Sequence, residues 1–468
     1  MKIGRTTSIV FLTRTLSAVL SFIGVAFFAR EIGAAALGIF FLFRASVSFL
    51  GIPADFGLRI AVERRISVNN RPATVFSTSA LLKLASVTVI SLFIVAFRGY
   101  LTQYIGADLV ILLILALLFD QLSDLTLVVL RGEHRVAESA VVGFIYRVTW
   151  IAAGTIAVTQ GHGATGLASS LVLGYVVRLT LGLIIQDTGF AFPSLEIIPS
   201  LLRYASYSSI SVVGGTIHNT MDLMILGFFY ASSMVGIYET AWQIGGPVLI
   251  LTKAIGSTIF PQISSWDASE SYEKIEDLIS KVITPSLSVV IPAVFGTVLL
   301  SREILGVIYG PGFIAGWDAL IIIIAGQVPR TIRHIVGRTL FAMDKPRYVA
   351  IGGVVDISLN LVLNLIFIYY FGLVGAALGT MLSMSAGMIV RIYFLKQFVS
   401  PHVPYDELAW CTISSVIMAL VVYALETFVG IDSVVELFFV IGVGVAVYFL
   451  ALFSSTTFQK RYIPNKVL

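Results

Sequence analysis

Apolar runs of about 20 residues, each bounded by charge, glycine or proline, recur along the whole chain, and that is the length an α-helix needs to cross a bilayer core. The first six are residues 8–28, 35–53, 75–97, 108–130, 137–158 and 164–185. The next six are 206–229, 235–259, 282–300, 317–341, 348–369 and 373–394, and two more follow at 408–429 and 434–453. Between the eighth and ninth, residues 261–281 are different. Trp266, Tyr272, Ile275, Leu278 and Ile279 are spread there among acids and lysines, which predicts an amphipathic helix at the membrane surface. Pro247, Pro285, Pro292 and Pro329 interrupt the eighth to tenth runs and are hinge or kink candidates.

Composition agrees with the pattern. The chain has 468 residues, 57% apolar and only 12% charged, half the charged share of a soluble domain. About fourteen crossings account for most of it and leave no room for a large aqueous domain. The fold class predicted is all-α integral membrane. The first run is too long for a signal-peptide core and carries Arg14, so it is read as a retained span. A single cysteine, Cys411, excludes an internal disulfide and a multi-cysteine metal cluster.

Loop charge sets the orientation. With the N-terminus inside, inner segments carry about 17 Lys or Arg, among them Lys2, Arg5, Arg64, Arg65, Arg131, Lys274, Lys345, Lys460, Arg461 and Lys466, against Arg30, Arg98 and Arg302 outside. Both termini are therefore expected in the cytoplasm of a cell-membrane protein. The net charge of +4 reports orientation here, not nucleic-acid binding.

The halves repeat weakly. Gly33-Ala-Ala-Ala-Leu-Gly-Ile-Phe40, entering span 2, matches Ala231-Ser-Ser-Met-Val-Gly-Ile-Tyr238, entering span 8. Gly163-Ala-Thr-Gly-Leu-Ala-Ser-Ser170, entering span 6, matches Gly372-Leu-Val-Gly-Ala-Ala-Leu-Gly379, entering span 12. Six spans per repeat is even, so the halves share one orientation and should be related by an axis along the membrane normal, with a cleft between two six-helix lobes. The divisions expected are 1–199 and 200–400 for the lobes and 401–468 for two additional helices and a cytoplasmic tail. Short Gly/Ala runs recurring by chance at membrane turns are the alternative.

Asn219-Thr-Met-Asp-Leu-Met-Ile-Leu-Gly-Phe-Phe-Tyr-Ala-Ser-Ser-Met-Val-Gly-Ile-Tyr-Glu-Thr-Ala241, continuing to Ile259-Phe-Pro-Gln-Ile263, resembles spans 7 and 8 of the polysaccharide-export flippases. Leu359-Asn-Leu-Val-Leu-Asn-Leu-Ile-Phe-Ile368 with Gly372–Thr380 resembles their spans 11 and 12. That family sits in the multidrug/oligosaccharidyl-lipid/polysaccharide exporter superfamily, with the lipid II flippases and the multidrug extruders. The resemblance implies a V-shaped, alternating-access transporter of a lipid-linked oligosaccharide.

Cations inside spans are costly, about 2.5 to 3.5 kcal/mol each at mid-membrane, so those that cannot reach a surface need a partner or a wet cavity. Arg44, Lys83, Arg147, Arg178 and Arg330 fall near mid-depth, Arg14 and Arg333 are intermediate, and Lys253, Arg338 and Arg391 are close enough to a cytoplasmic end to snorkel. Asp120 and Asp124 share one face of span 4, and Arg147 is at similar depth on span 5, so an Asp120–Arg147 ion pair is expected, with gating or proton relay as the other role for the two acids. Arg14, Arg44, Lys83 and Arg178 then have no obvious acid nearby. Arg14, Arg44, Lys83, Arg147, Arg178 and Arg330 are the expected substrate-binding set, suited to a phosphate or diphosphate headgroup. Resemblance to the lipid II flippases places Arg14 and Arg44 at functional arginines, whereas their span 8 arginine is Trp242 here; that departure favours another glycolipid. Trp150, Trp242 and Tyr238 are either sugar platforms or packing residues.

Depth alone brings Asp222 on span 7, Asn364 on span 11 and Thr380 on span 12 to one level, with Asn360 one turn beneath Asn364 on the same face, oxygen ligands suited to sodium or a proton. Resemblance to a sodium site of some lipid II flippases covers Asp222, Asn360, Ala376 through its carbonyl, and Thr380, with Asn364 where an aspartate would be expected. An interhelical hydrogen-bond network is the equal alternative. No phosphate-binding Gly-rich loop, zinc pattern or nucleophile turn occurs, so a transporter without cofactor is expected, with at most a coupling Na+ or H+. The alternatives are a cation-coupled multidrug extruder, a lipid II flippase and, from a different class, a membrane-embedded glycan polymerase. Partners expected are the lipid-linked oligosaccharide, membrane lipid and polymerase or glycosyltransferases of the same pathway, acting on a monomer.

Overall fold

The computed structural model describes residues 2–455 and Phe458, without the side chains of residues 2–5 and 207–219. The inner-loop cations Lys460, Arg461 and Lys466, and the side chains of Lys2 and Arg5, lie outside the described residues.

The described chain is helical throughout, as lipid requires of a spanning backbone with no water to hydrogen-bond it. In order the helices are α1 (Lys2–Asp55), α2 (Leu58–Ser67), α3 (Pro72–Ala96), α4 (Arg98–Ile105), α5 (Val110–Gly132), α6 (Val136–Thr159), α7 (Gly163–Ile185) and α8 (Ile198–Phe229). They continue as α9 (Ser232–Val248), α10 (Ile250–Ala268), α11 (Tyr272–Leu287), α12 (Val290–Tyr309), α13 (Trp317–Ala325), α14 (Gln327–Ala342), α15 (Pro346–Leu395), α16 (Tyr405–Val429) and α17 (Val434–Phe453).

Among the described residues ten helices are long and apolar enough to cross a membrane, or eleven if the pair Ser232–Val248 and Ile250–Ala268, bent by 45°, is one span. The helix count alone therefore does not yield fourteen. Two of the ten, Thr6–Asp55 and Pro346–Leu395, have 50 residues each. A straight helix of that length would measure about 75 Å, more than two hydrocarbon cores. Each is broken at one glycine, Gly33 (φ 71°) and Gly372 (φ 56°), in a backbone region that side chains disfavour. Where the sequence pattern predicts a loop between spans 1 and 2, and again between 11 and 12, a single residue makes the turn.

The chain forms two compact units, Met1–Gly236 and Ile237–Leu468, so α8 belongs wholly to the first and the division falls inside α9. In the first, α2, α3 and α5 enclose a core of Leu58, Val62, Ile66, Val75, Phe76, Leu125 and Val128. In the second, α16 and α17 pack on each other and on α12 around Leu300, Cys411, Met418, Val440 and Tyr448. The amphipathic stretch at 261–281 is helical except for a turn at Ser269–Ser271. Its apolar side is not left for lipid: Ile263, Ile275 and Ile279 are buried with Ile335 and Leu340 of α14, while Lys274, Asp277 and Lys281 are exposed.

Candidate functional site

In the first unit the intramembrane charges form two linked ion pairs. The Lys83 ammonium on α3 is fully buried and donates to Asp55 Oδ1 at 2.7 Å and Gln121 Oε1 at 2.8 Å. Asp55 Oδ2 lies 3.3 Å from Arg59 Nε. Arg178 on α7 donates from Nη2 to Asp120 Oδ1 at 2.8 Å and to the Asp120 carbonyl at 3.0 Å, and from Nε to Ser123 Oγ at 2.8 Å. Its guanidinium lies over the Tyr146 and Tyr175 rings, 5.1 and 4.9 Å from their centroids. Gln121 joins the pairs, since its amide also reaches Asp120 Oδ2 at 3.5 Å.

Three expectations are corrected by this geometry. Asp120 pairs with Arg178, not Arg147, because α5 packs far more extensively on α7 than on α6. Lys83 and Arg178 do not lack acids: each holds one. Asp55 lies beyond the Pro53 end that the apolar pattern gives span 2, whereas α1 runs through that proline to Asp55. Asp124, one turn from Asp120, is half-buried and its carboxylate makes no hydrogen bond or ion pair among the described residues.

Arg147 projects the other way, toward α1. Its Nη1 donates to Ser21 Oγ at 3.0 Å, it lies beside the Tyr146 ring at 5.9 Å, and no carboxylate among the described residues pairs with it. Arg14, seven residues before Ser21 and so on the same face of α1, is exposed. Arg44 lies over the Phe41 ring at 5.1 Å. Trp150 is 2% exposed, stacked on Phe40 at 5.7 Å and edge-on to Phe28, which makes it a packing residue and no sugar platform.

In the second unit Arg330 lies over the Trp242 ring at 5.5 Å, and Trp242 stacks on buried Tyr238 at 6.3 Å. Arg333 is ion-paired with Asp356. Arg391, placed by sequence depth to snorkel, is instead buried: Nη2 donates to the Val349 carbonyl at 3.3 Å, and Nε and Nη1 are buried without a hydrogen-bond partner.

Of the candidate ion ligands, Asp222 is buried on α8 of the first unit, and the other four lie on α15 of the second. There the two arms of α15 pack so closely that a Cβ at Gly379 would lie 2.5 Å from Asn364 Oδ1 and one at Gly375 would lie 1.9 Å from the Phe367 carbonyl. Asn360 Nδ2 donates to Thr380 Oγ1 at 3.0 Å, and Asn360 Oδ1 is buried with no hydrogen-bond partner. Ala376 is fully buried beside them. No group of three or more His, Cys, Asp or Glu suited to a metal occurs among the described residues.

Long apolar helices, two of them folded back at a glycine, and charges held inside the spans define a polytopic membrane protein. Residues 67–450 match the family described as Lipid II flippase MurJ, and the chain belongs to that family. It is therefore a flippase-type transporter and not an enzyme. It is 40% identical over 448 residues, 96% of this chain and 95% of the relative, to the "Probable low-salt glycan biosynthesis flippase Agl15" of Haloferax volcanii. To the "Probable flippase AglR" of the same organism it is 29% identical, covering 92% of each. Among solved structures, "Lipid II flippase MurJ, inward closed conformation" superposes with a TM-score of 0.78 at 16% identity, covering 96% of this chain and 98% of that one. An inward-facing MATE family transporter of the MOP superfamily superposes with a TM-score of 0.65 at 17% identity, covering 82% and 94%. These two likenesses show the fold.

Proposed function

We propose that the chain moves a polyprenyl-phosphate- or diphosphate-linked oligosaccharide from the cytoplasmic to the outer leaflet by alternating access, for surface polysaccharide or glycoprotein glycan assembly. The relatives named as glycan flippases support the oligosaccharide. One observation carries the anionic headgroup: once the ion pairs are set aside, Arg147 and Arg330 remain half-buried inside predicted spans with no carboxylate partner among the described residues. A guanidinium held at that depth costs several kcal/mol unless a counter-charge or water reaches it, and a phosphate supplies the bidentate partner it fits. Arg14, exposed on the Ser21 face of α1, extends the same set, and Arg44, over the Phe41 ring, is proposed to join it.

Both termini face the cytoplasm in this reading, and the chain works as a monomer beside the polymerase or glycosyltransferases of its pathway. Membrane potential, a sodium or proton gradient or substrate flow drives the cycle. The test is complementation of a strain lacking its glycan flippase. Arg147→Ala should leave protein in the membrane, abolish surface glycan and cause lipid-linked oligosaccharide to accumulate; normal surface glycan would refute the headgroup assignment.

A further inference from the structure

α14 carries a positive feature of which the flippase reading uses Arg330 alone. Arg330, His334 and Arg338 are spaced i, i+4, i+8, so they stand on one face and form a stripe about 12 Å long. That face meets α10. A Cβ at Gly256 would lie 2.8 Å from His334 Nε2 and 3.5 Å from Arg338 Cγ, so the missing side chain is what admits the imidazole. Lys253, one turn earlier on α10, is exposed and acts electrostatically on Arg330 and His334. Arg338 lies over the Phe260 ring at 5.0 Å, as Arg330 lies over Trp242.

Aromatic faces hold both guanidinium groups in place without consuming their charge. Asp356 is held by Arg333 of the same helix. Lys253, Arg330 and Arg338 have no carboxylate partner among the described residues, and Arg338 Nε is a buried donor with no acceptor. A fixed array of three full positive charges, an imidazole and an orphaned N–H is arranged for a multivalent anion.

We propose that the α10–α14 face of the second unit is a phosphate- or diphosphate-binding site, built around Arg330 by residues the headgroup reading above leaves out. Lys253, Arg330, His334 and Arg338 are its ligands. Diphosphate spans two rungs of the stripe, and each guanidinium offers it paired donors in a fixed plane. That the ligand in the cell is a lipid headgroup rests on the proposed function; the anion site itself does not.

The test is calorimetric binding of inorganic pyrophosphate to the purified full chain in detergent. Arg338→Gln and Lys253→Gln should each weaken binding tenfold or more, while Lys274→Gln, which removes an equal charge from the exposed face of α11, should stay within twofold. Size-exclusion profile and unfolding midpoint report folding, and Lys253→Gln, at an exposed position, keeps the test valid where an arginine variant misfolds. Absence of saturable binding, or wild-type affinity in both Arg338→Gln and Lys253→Gln, overturns the site. In nanodiscs, farnesyl diphosphate should displace pyrophosphate and phosphatidylglycerol should not. Displacement by neither overturns the lipid assignment and leaves a free-anion site. Because binding is read without transport, failure here is separable from failure of the Arg147 complementation test.

Discussion

Gly38 and Gly236 pack backbone against backbone: a Cβ on either would lie 3.0 Å from the other's amide nitrogen. One on Gly38 would also fall 1.7 Å from the Ser232 carbonyl, and one on Gly236 would fall 2.1 Å from that of Ala34. These are corresponding positions of the first repeated motif, Leu-Gly-Ile-Phe and Val-Gly-Ile-Tyr. The two motif copies thus meet through the residues whose missing side chains allow a close backbone approach.

Alanine at either glycine must therefore displace backbone. Gly38→Ala and Gly236→Ala should each lower stability by about 1 to 3 kcal/mol, the cost of overpacking, read as a lower unfolding midpoint in detergent. Gly33→Ala meets open space but keeps a positive φ with an extended ψ, so its expected cost is backbone strain alone, about 1 to 3 kcal/mol. Gly143→Ala, with nothing within 4 Å, is the control. Equal midpoints for all four would contradict the close-approach account.

Lys83 is held to Asp55 and Gln121 with no exposure. Removing one member of a buried pair strands the other, a loss of about 3 to 5 kcal/mol. Lys83→Met should therefore abolish accumulation of folded protein or sharply lower its midpoint, and Lys83→Met with Asp55→Asn should recover part of the loss. A double variant no better than the single would show that the pair is not the unit of stability.

Much of this was legible in the sequence. Apolar runs located the helices, whereas the Gly/Ala motifs, read as a repeat, did not by themselves reveal the close packing at Gly38, Gly236, Gly375 and Gly379. Depth along a span could say that Lys83, Arg147 and Arg178 sit inside the membrane, but not which neighbour each one faces. That depends on the rotation of each helix and on which helices adjoin. Arg178 and Arg147 occupy neighbouring spans at similar depth, and only the packing of α7 on α5 and of α6 on α1 sends one to Asp120 and the other to Ser21. The α14 stripe is written in the sequence as Arg330, His334 and Arg338 at intervals of four, but depth, which separates Arg330 from Arg338, hides their shared face.

Arg178 satisfies three acceptors with one planar fork and lies against two tyrosines. Lysine retains the charge but not the fork, so Arg178→Lys should leave Ser123 or the Asp120 carbonyl without its donor and cost about 1 to 3 kcal/mol. Arg178→Gln, which also leaves the Asp120 carboxylate uncompensated, should cost more. An unfolding series ordered wild type, Lys, Gln is expected. Indistinguishable Lys and wild-type proteins would mean that the charge alone matters.

The Asn360–Thr380 contact separates an ion site from a packing network. Asn360 spends one amide hydrogen on Thr380 Oγ1, and its buried carbonyl oxygen has no hydrogen-bond partner. A buried acceptor left so costs about 1 to 3 kcal/mol, unless a cation or water occupies it. Under the coupling-ion proposal, Asn360→Ala removes a ligand and Thr380→Val removes both a ligand and the group orienting Asn360. Both variants should transport at equal rates with sodium and with potassium, whereas the wild type should be faster in sodium. A proton would instead give a pH dependence that Asp222→Asn flattens at constant sodium. If Asn360→Ala and Thr380→Val lose rate by the same factor in every cation and at every pH, the contact only fastens the two arms of α15 and the coupling ion must be sought elsewhere.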